Sequence, residues 1–130
     1  MITIDVNEEL EDRVRGYIRE AGLEERIDYR IGKAADIIPQ LEEQFDLVFI
    51  DADKENYARY FDLVIDRVNL NGVILADNVL WSGKVLREKP DKDTRAIIAF
   101  NEKIQADERV ENVLLPIRDG VMMMRKVRLR

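Results

Sequence analysis

The chain contains neither cysteine nor histidine. The first absence excludes disulfides and thiolate metal sites, and it fits a reducing cytoplasm. The second removes the commonest general base near neutral pH together with the commonest transition-metal ligand. Any metal must then be held mainly by oxygen, which suits hard cations such as Mg²⁺, Mn²⁺ or Ca²⁺. Proton abstraction falls to a carboxylate, a tyrosine or a lysine. No apolar run approaches the roughly 20 residues that span a bilayer, and no basic N-terminal segment precedes an apolar stretch. A cytoplasmic protein without membrane contact is therefore expected. Basic residues are the minority, 21 against 27 acidic, for a formal charge of −6. That balance disfavours an extended nucleic-acid footprint, which needs phosphate neutralisation.

What is present is an alternation of short strands and amphipathic helices. The 130 residues, 46% of them hydrophobic, fit one domain over residues 1–130. Ile2-Thr3-Ile4 is β-prone and ends at Asp5. Asn7 is a helix cap, Glu8 and Glu9 favour a first turn, and Leu10, Val14, Tyr17, Ile18 and Ala21 make one apolar stripe that Gly22 ends. A strand from Ile27 to Ile31 follows, then a short helix from about Ala35 to Glu43 that tolerates Pro39 near its start. Strand Leu47 to Ile50 leads to a helix with Tyr57, Tyr60, Phe61, Val64, Ile65 and Val68 on its buried face. Asn71-Gly72 then turns the chain into strand Val73 to Ala76. Residues 82–93 read as a mobile loop, and Asp93 as the cap of a helix carrying Ile97, Phe100, Asn101 and Ile104. Val113 to Leu115 and Val121 to Met124 are joined through Arg118-Asp119-Gly120, a hairpin signal. Such alternation predicts an α/β fold, a mostly parallel sheet with right-handed crossovers and a C-terminal antiparallel hairpin.

Two of these strands end in acidic residues, Ile50 running into Asp51-Ala52-Asp53-Lys54 and Ala76 into Asp77-Asn78. As parallel neighbours in a buried sheet they would bring Asp51, Asp77 and Asn78 to one edge, where open α/β sheets bind ligands. Four oxygen-bearing side chains, Asp53 included, would repel one another without a cation or donors between them. Helix capping by Asp53 and turn formation by Asp77 or Asn78 form the competing account. Lys54 is either a solvated surface lysine or a general base. Asp5 is placed to accept from ribose hydroxyls or simply to cap a helix, and Gly32-Lys33-Ala34 is a turn against which a flat ring could lie. Trp81 is either core or an aromatic wall for a planar substrate. The run Met122-Met123-Met124 is read as core packing.

Three segments carry a more specific resemblance: Phe45 to Lys54, Gly72 to Gly83, and Leu115 to Val121. In this order and spacing they resemble the metal-dependent O-methyltransferases related to catechol O-methyltransferase and caffeoyl-CoA O-methyltransferase, especially the small bacterial members. The resemblance runs from Ile2 to Lys126. It implies a Rossmann-like methyltransferase sheet, S-adenosylmethionine as cofactor, and a divalent cation, Mg²⁺ ahead of Mn²⁺ or Ca²⁺. By the same resemblance Asp51, Asp77 and Asn78 match the metal ligands, Lys54 the general base, and Asp5 the acid that holds the ribose. Gly32, Lys33 and Ala34 match the turn beside adenine; Asp51 is also counted in the cofactor set, and Trp81, from its position after the ligands, is the candidate acceptor wall. The implied acceptor is a small hydroxylated aromatic, catechol-like or hydroxycinnamoyl, whose oxygen loses its proton to Lys54 and takes the methyl group.

The chain begins where the family's second strand begins, so the resemblance implies an incomplete O-methyltransferase domain that lacks the glycine-rich cofactor turn. The strand edges that such a domain would expose lead to the expectation of a homo-oligomer. Two other functions are carried as alternatives: a catalytically silent metal-binding or assembly fragment of this fold, and a tRNA hydroxyuridine O-methyltransferase, against which the acidic charge weighs.

Overall fold

A computed structural model describes residues 1–128. It divides into two compact units, Met1–Leu41 and the chain from Glu42 onward. In the first, strands β1 (Ile2–Asp5) and β2 (Asp28–Ile31) pair in parallel, with Asp5 opposite Ile31. Helix α1 (Glu11–Glu20) connects them. Asn7 accepts from the Glu9 N–H as expected, although the turn it caps is a 3-10 turn over Glu8–Leu10 that leads into α1. Gly22 closes α1 with φ 65°. The helix expected over residues 35–43 is shorter: α2 spans Ala34–Ile37 and passes into a 3-10 turn over Ile38–Gln40. Pro39 explains this, because it lacks the N–H that would continue the α-helical ladder and its ring crowds the carbonyl four residues earlier.

The second unit is built on one four-stranded sheet, in the order β3 (Phe45–Ile50), β4 (Val68–Asp77), β6 (Val121–Lys126) and β5 (Val110–Leu115). β3 and β4 are parallel, β4 and β6 antiparallel, and β5 and β6 form the expected C-terminal hairpin. Asn71 and Gly72 do not end a turn before the strand. They lie inside β4, where Phe45 pairs with Val68 but Leu47 pairs with Val73. The additional β4 residues are accommodated as a bulge, with Asn71 at φ 67°.

Helices α3 (Tyr57–Val64) and α4 (Lys92–Ala106) complete this unit. Tyr57, Phe61, Ile97, Phe100 and Ile104 are fully buried, and the Tyr57 and Phe100 rings meet edge to face at 5.5 Å. Ile50, Ile74, Ala76, Met122 and Met124 are among the buried positions of the sheet, so the methionine run does alternate between core and partly exposed positions. A sheet buried on both faces was expected, yet Leu47 and Phe49 on β3 are 61% and 59% exposed. Asp91, not Asp93, caps α4: its carboxylate accepts from the Thr94 N–H at 2.8 Å and hydroxyl at 2.6 Å. Residues Trp81–Leu86 form kinked 3-10 structure. Among the described residues no helix is long and apolar enough to cross a membrane.

One acid in the turn between α4 and β5 is tied firmly. Asp107 accepts from the Arg109 side chain at 2.9 and 2.6 Å and from its backbone N–H at 3.0 Å. The guanidinium holds the Asp107 carboxyl below its ordinary range. A lowered folded-state pKa means that the stabilisation is complete above the unfolded value of about 4 and is lost as pH falls through the lower folded value. Asp107→Asn is therefore expected to cost roughly 1–2 kcal/mol at pH 7, with the gap from the parent chain shrinking below about pH 4 in urea melts.

Candidate functional site

In the first unit, parallel pairing brings Asp5 and the turn after β2 to one edge. The Gly32 N–H donates to the Asp5 carbonyl at 2.8 Å, and the Asp5 carboxylate accepts from the Asn7 N–H at 2.9 Å. Gly32 has φ 148°, and a Cβ there would lie 3.0 Å from Ile37 Cδ1, so the turn requires glycine. Lys33 is exposed and caps α2, which opens at Ala34.

In the second unit, the β3–β4 register places Ile50 beside Ala76, so the strands end together and Asp51 follows beside Asp77. Lys54 joins the two ends. Its ammonium donates to Asp51 Oδ1 at 3.3 Å, Asn78 Oδ1 at 3.1 Å and the Tyr57 hydroxyl at 2.6 Å. Three acceptors match the three N–H bonds of an ammonium. The Tyr57 hydroxyl in turn donates a hydrogen bond to the Asp77 carbonyl at 2.9 Å. Burial, and then the charges of Asp51, Asp77 and Asp53, push Tyr57 far above the usual phenol range, which keeps it a neutral donor. The Lys54 side chain is only 10% exposed, while that of Asp51 is 47% exposed, so the group opens to solvent through the carboxylate.

Asp53 stands apart from this trio. It accepts from the Tyr60 hydroxyl at 2.5 Å and from the Asn56 amide. Burial raises its carboxyl, but those two donors and nearby Lys54 bring the balance below the ordinary value. Tyr60 is in turn pushed up to about 12 by burial and by Asp53. Asp53 takes the extended cap position before residues 54–56 without a side-chain bond to backbone, so its capping role is replaced by a link to α3.

The segment after β4 is held in an unusual backbone. Asn78, Trp81 and Ser82 have φ of 62°, 49° and 53°. Non-glycine residues in that region cost of order 1 kcal/mol or more each and persist only where neighbours fix them. The fixing neighbours are in the β5–β6 turn and on α4. The Val79 and Leu80 N–H groups donate to the carbonyls of Gly120 and Asp119 at 3.1 and 3.0 Å, and the Asn101 side chain donates to the Val79 carbonyl at 2.9 Å. Asp119 adds its carboxylate, accepting from the Ser82 N–H at 2.6 Å and the Asn78 amide at 3.4 Å. Two ammonium groups approach the Trp81 ring, Lys54 at 5.6 Å and Lys84 at 5.5 Å from its centroid. Its buried Nε1 has no hydrogen-bond partner among the described residues.

The expected residues Asp51, Lys54, Asp77, Asn78 and Trp81 thus meet in one place, while Asp5 and Gly32 to Ala34 meet in the other unit. Reading the sequence missed Tyr57, taken only as helix face, and Asp119 and Asn101. Asp119 lies 41 residues from Asn78, and the Asp77–Val121 pairing brings their segments together.

Among the described residues no group of three or more Asp, Glu, His or Cys is gathered as a metal cage. The donor chemistry nonetheless fits a hard cation. Asp51 and the Asn78 amide turn oxygens toward one positive charge, the Lys54 ammonium, and the Asp77 carboxylate borders them, accepting from the Asn78 N–H at 2.7 Å. Two carboxylates and an amide oxygen, with water completing the shell, are a donor set that Mg²⁺ accepts.

Gly120 has φ 81°, and a Cβ there would lie 2.6 Å from Leu80 Cγ. Gly120→Ala should destabilise the chain by about 1–3 kcal/mol, read as a lower urea midpoint, because strain and overlap act together.

A family model described as O-methyltransferase matches residues 1–127. Tricin synthase 2 of Oryza sativa subsp. japonica is 39% identical over 140 residues, which cover 98% of this chain and 48% of that protein. Caffeoyl-CoA O-methyltransferase of Eucalyptus gunnii is 34% identical over 142 residues, covering 99% and 57%. Among solved structures, the O-methyltransferase from Bacillus cereus in complex with SAH superposes with a TM-score of 0.87 at 32% identity, covering 96% of this chain and 61% of that one. The SAH-bound methyltransferase PaMTH1 of Podospora anserina gives 0.88 at 27% identity, covering 98% and 60%. The chain therefore spans about half the length of the first two relatives and about three-fifths of these two structures.

Proposed function

Since the chain belongs to the O-methyltransferase family, we propose that the protein transfers a methyl group from S-adenosylmethionine to a hydroxyl of a catechol-like or hydroxycinnamoyl acceptor, with a divalent cation, Mg²⁺ first, at Asp51, Asp77 and Asn78. The observation that carries this reading is the convergence of Asp51, Asn78 and Lys54 on one point at the carboxyl ends of two parallel strands. Asp5 would accept from the ribose hydroxyls, and the Gly32 to Ala34 turn would lie along the adenine. S-adenosylmethionine supplies an electrophilic methyl group, and the bound cation supplies positive charge that favours the ionised acceptor oxygen.

The chain's own residues do the rest. Among the described residues, Lys54 is the basic side chain that touches both Asp51 and Asn78. As an ammonium it bridges the oxygens, and as the free amine it takes the acceptor's proton. Tyr57 holds Nζ in place, because its hydroxyl accepts from Lys54 and is itself anchored on the Asp77 carbonyl. Trp81 offers the acceptor ring an aromatic wall. The SAH-bound relatives support the cofactor, and the named activities of the plant relatives support the acceptor class.

The test is calorimetric titration of the chain with S-adenosylmethionine, with and without Mg²⁺, followed by methyl transfer to a simple catechol. Binding strengthened by Mg²⁺ and weakened at least tenfold in Asp51→Ala is the expected result; a folded chain that binds neither ligand overturns the reading. Self-association is part of the proposal. β3 ends its sheet with Leu47 and Phe49 exposed, and such an edge favours pairing. Light scattering should give a mass that rises with concentration above the 15.2 kDa of one chain, and a constant monomer would remove that part.

A further inference from the structure

We propose that Asp119 is a positioning residue that fixes which way the Asn78 side-chain amide points. An asparagine amide can rotate by half a turn with almost no change in shape, exchanging its oxygen for its nitrogen. At Asn78 the two ends meet opposite charges. Oδ1 accepts from the Lys54 ammonium at 3.1 Å, and Nδ2 faces Asp119 Oδ2 at 3.4 Å. The rotated amide would place N–H groups against an ammonium and a carbonyl oxygen against a carboxylate, which is repulsive on both sides. The contact to Asp119 is long, so its weight comes from the charge and from the fixed position of the carboxylate.

That position is set independently of Asn78. The other carboxylate oxygen accepts from the Ser82 N–H at 2.6 Å, and the Asp119 backbone carbonyl accepts from the Leu80 N–H at 3.0 Å. Asp119 therefore has one oxygen for the left-handed backbone of the 78–82 segment and one for the amide. Its role extends the proposed cation site, on which this inference rests: an oriented Oδ1 is a ligand, and a rotated Nδ2 is not. Partners that orient a metal ligand commonly carry about 10–100-fold of the affinity.

Asp119→Asn keeps an oxygen for Ser82 and turns N–H groups toward Asn78. Two readouts follow it: the Asn78 side-chain amide signals in ¹H–¹⁵N NMR of the metal-free chain, and Mn²⁺ affinity by calorimetry. In a folded variant, the Asn78 amide signals should shift and exchange faster with solvent, and Mn²⁺ should bind about tenfold or more weakly. Unchanged amide signals would overturn the inference. If the chain with Asp119 intact binds no Mn²⁺, the cation reading fails by itself and the amide signals still decide this one. Where Asp119→Asn alone does not fold, the exchange of Asn78→Asp with Asp119→Asn restores a donor opposite an acceptor. Folding regained in that pair supports the inference, and its absence overturns it.

Discussion

Parallel strands that end side by side place their following residues in the same small volume, and here those residues carry negative charge and unpaired oxygen. The Lys54 ammonium resolves this by donating once to each strand's trailing side chain and once to Tyr57. No single bond of the three is strong. An ion pair with a half-exposed carboxylate such as Asp51 contributes somewhere between nothing and about 1 kcal/mol. What matters is that the ammonium is nearly buried. A buried cation without acceptors is costly, so the three oxygens hold Lys54 as much as it holds them. Tyr57 then connects the group to the core, where its ring is fully buried against Phe100.

The same requirement accounts for the backbone after β4. Asn78 can face Lys54 only if the chain leaves the strand sharply, and it does so with three left-handed residues in five. The cost of that path is offset by hydrogen bonds from a different part of the sequence, the 118–120 turn, and by Asn101 on α4. The site edge is consequently not a property of β3 and β4 alone. It needs β6 in register, since Asp77 pairs with Val121 and the turn before Val121 then falls beside Asn78.

This division explains what could be read from residue order. Patterns with a local cause were legible: the left-handed end of α1 at Gly22, the hairpin around Asp119-Gly120, the apolar face of α3, and the joint ending of β3 and β4 at Asp51 and Asp77. Boundaries that depend on competing local signals were less so. Asp91 takes the cap of α4 from Asp93 because only its carboxylate reaches both donors of Thr94. Asn71-Gly72 reads as a turn, but neighbouring β3 keeps pairing on either side of it and makes it a bulge. Asp119 and Tyr57 were recognised only as turn and helix face. Their second roles arise from partners 41 and 20 residues away, and residue order alone carries no signal for such pairs.

Two lysines of this unit show what distinguishes the site from the rest of the fold. Lys126 is 4% exposed and donates to the carbonyls of Ile65 and Val68, both at 2.8 Å. Its partners are backbone groups held in place by the chain itself, so that contact is a fixed tie between the end of β6 and the entry to β4. Lys54 is largely enclosed, its side chain 10% exposed, but its acceptors are the side chains of Asp51, Asn78 and Tyr57. Side chains can turn, Asp51 already reaches solvent, and oxygens engaged with an ammonium can engage another positive charge without rebuilding the sheet. Both lysines satisfy the same physical demand, that a buried cation be hydrogen-bonded. Only at the ends of β3 and β4 is the demand met by groups free to change partner, which is the property a binding site requires and a structural tie does not.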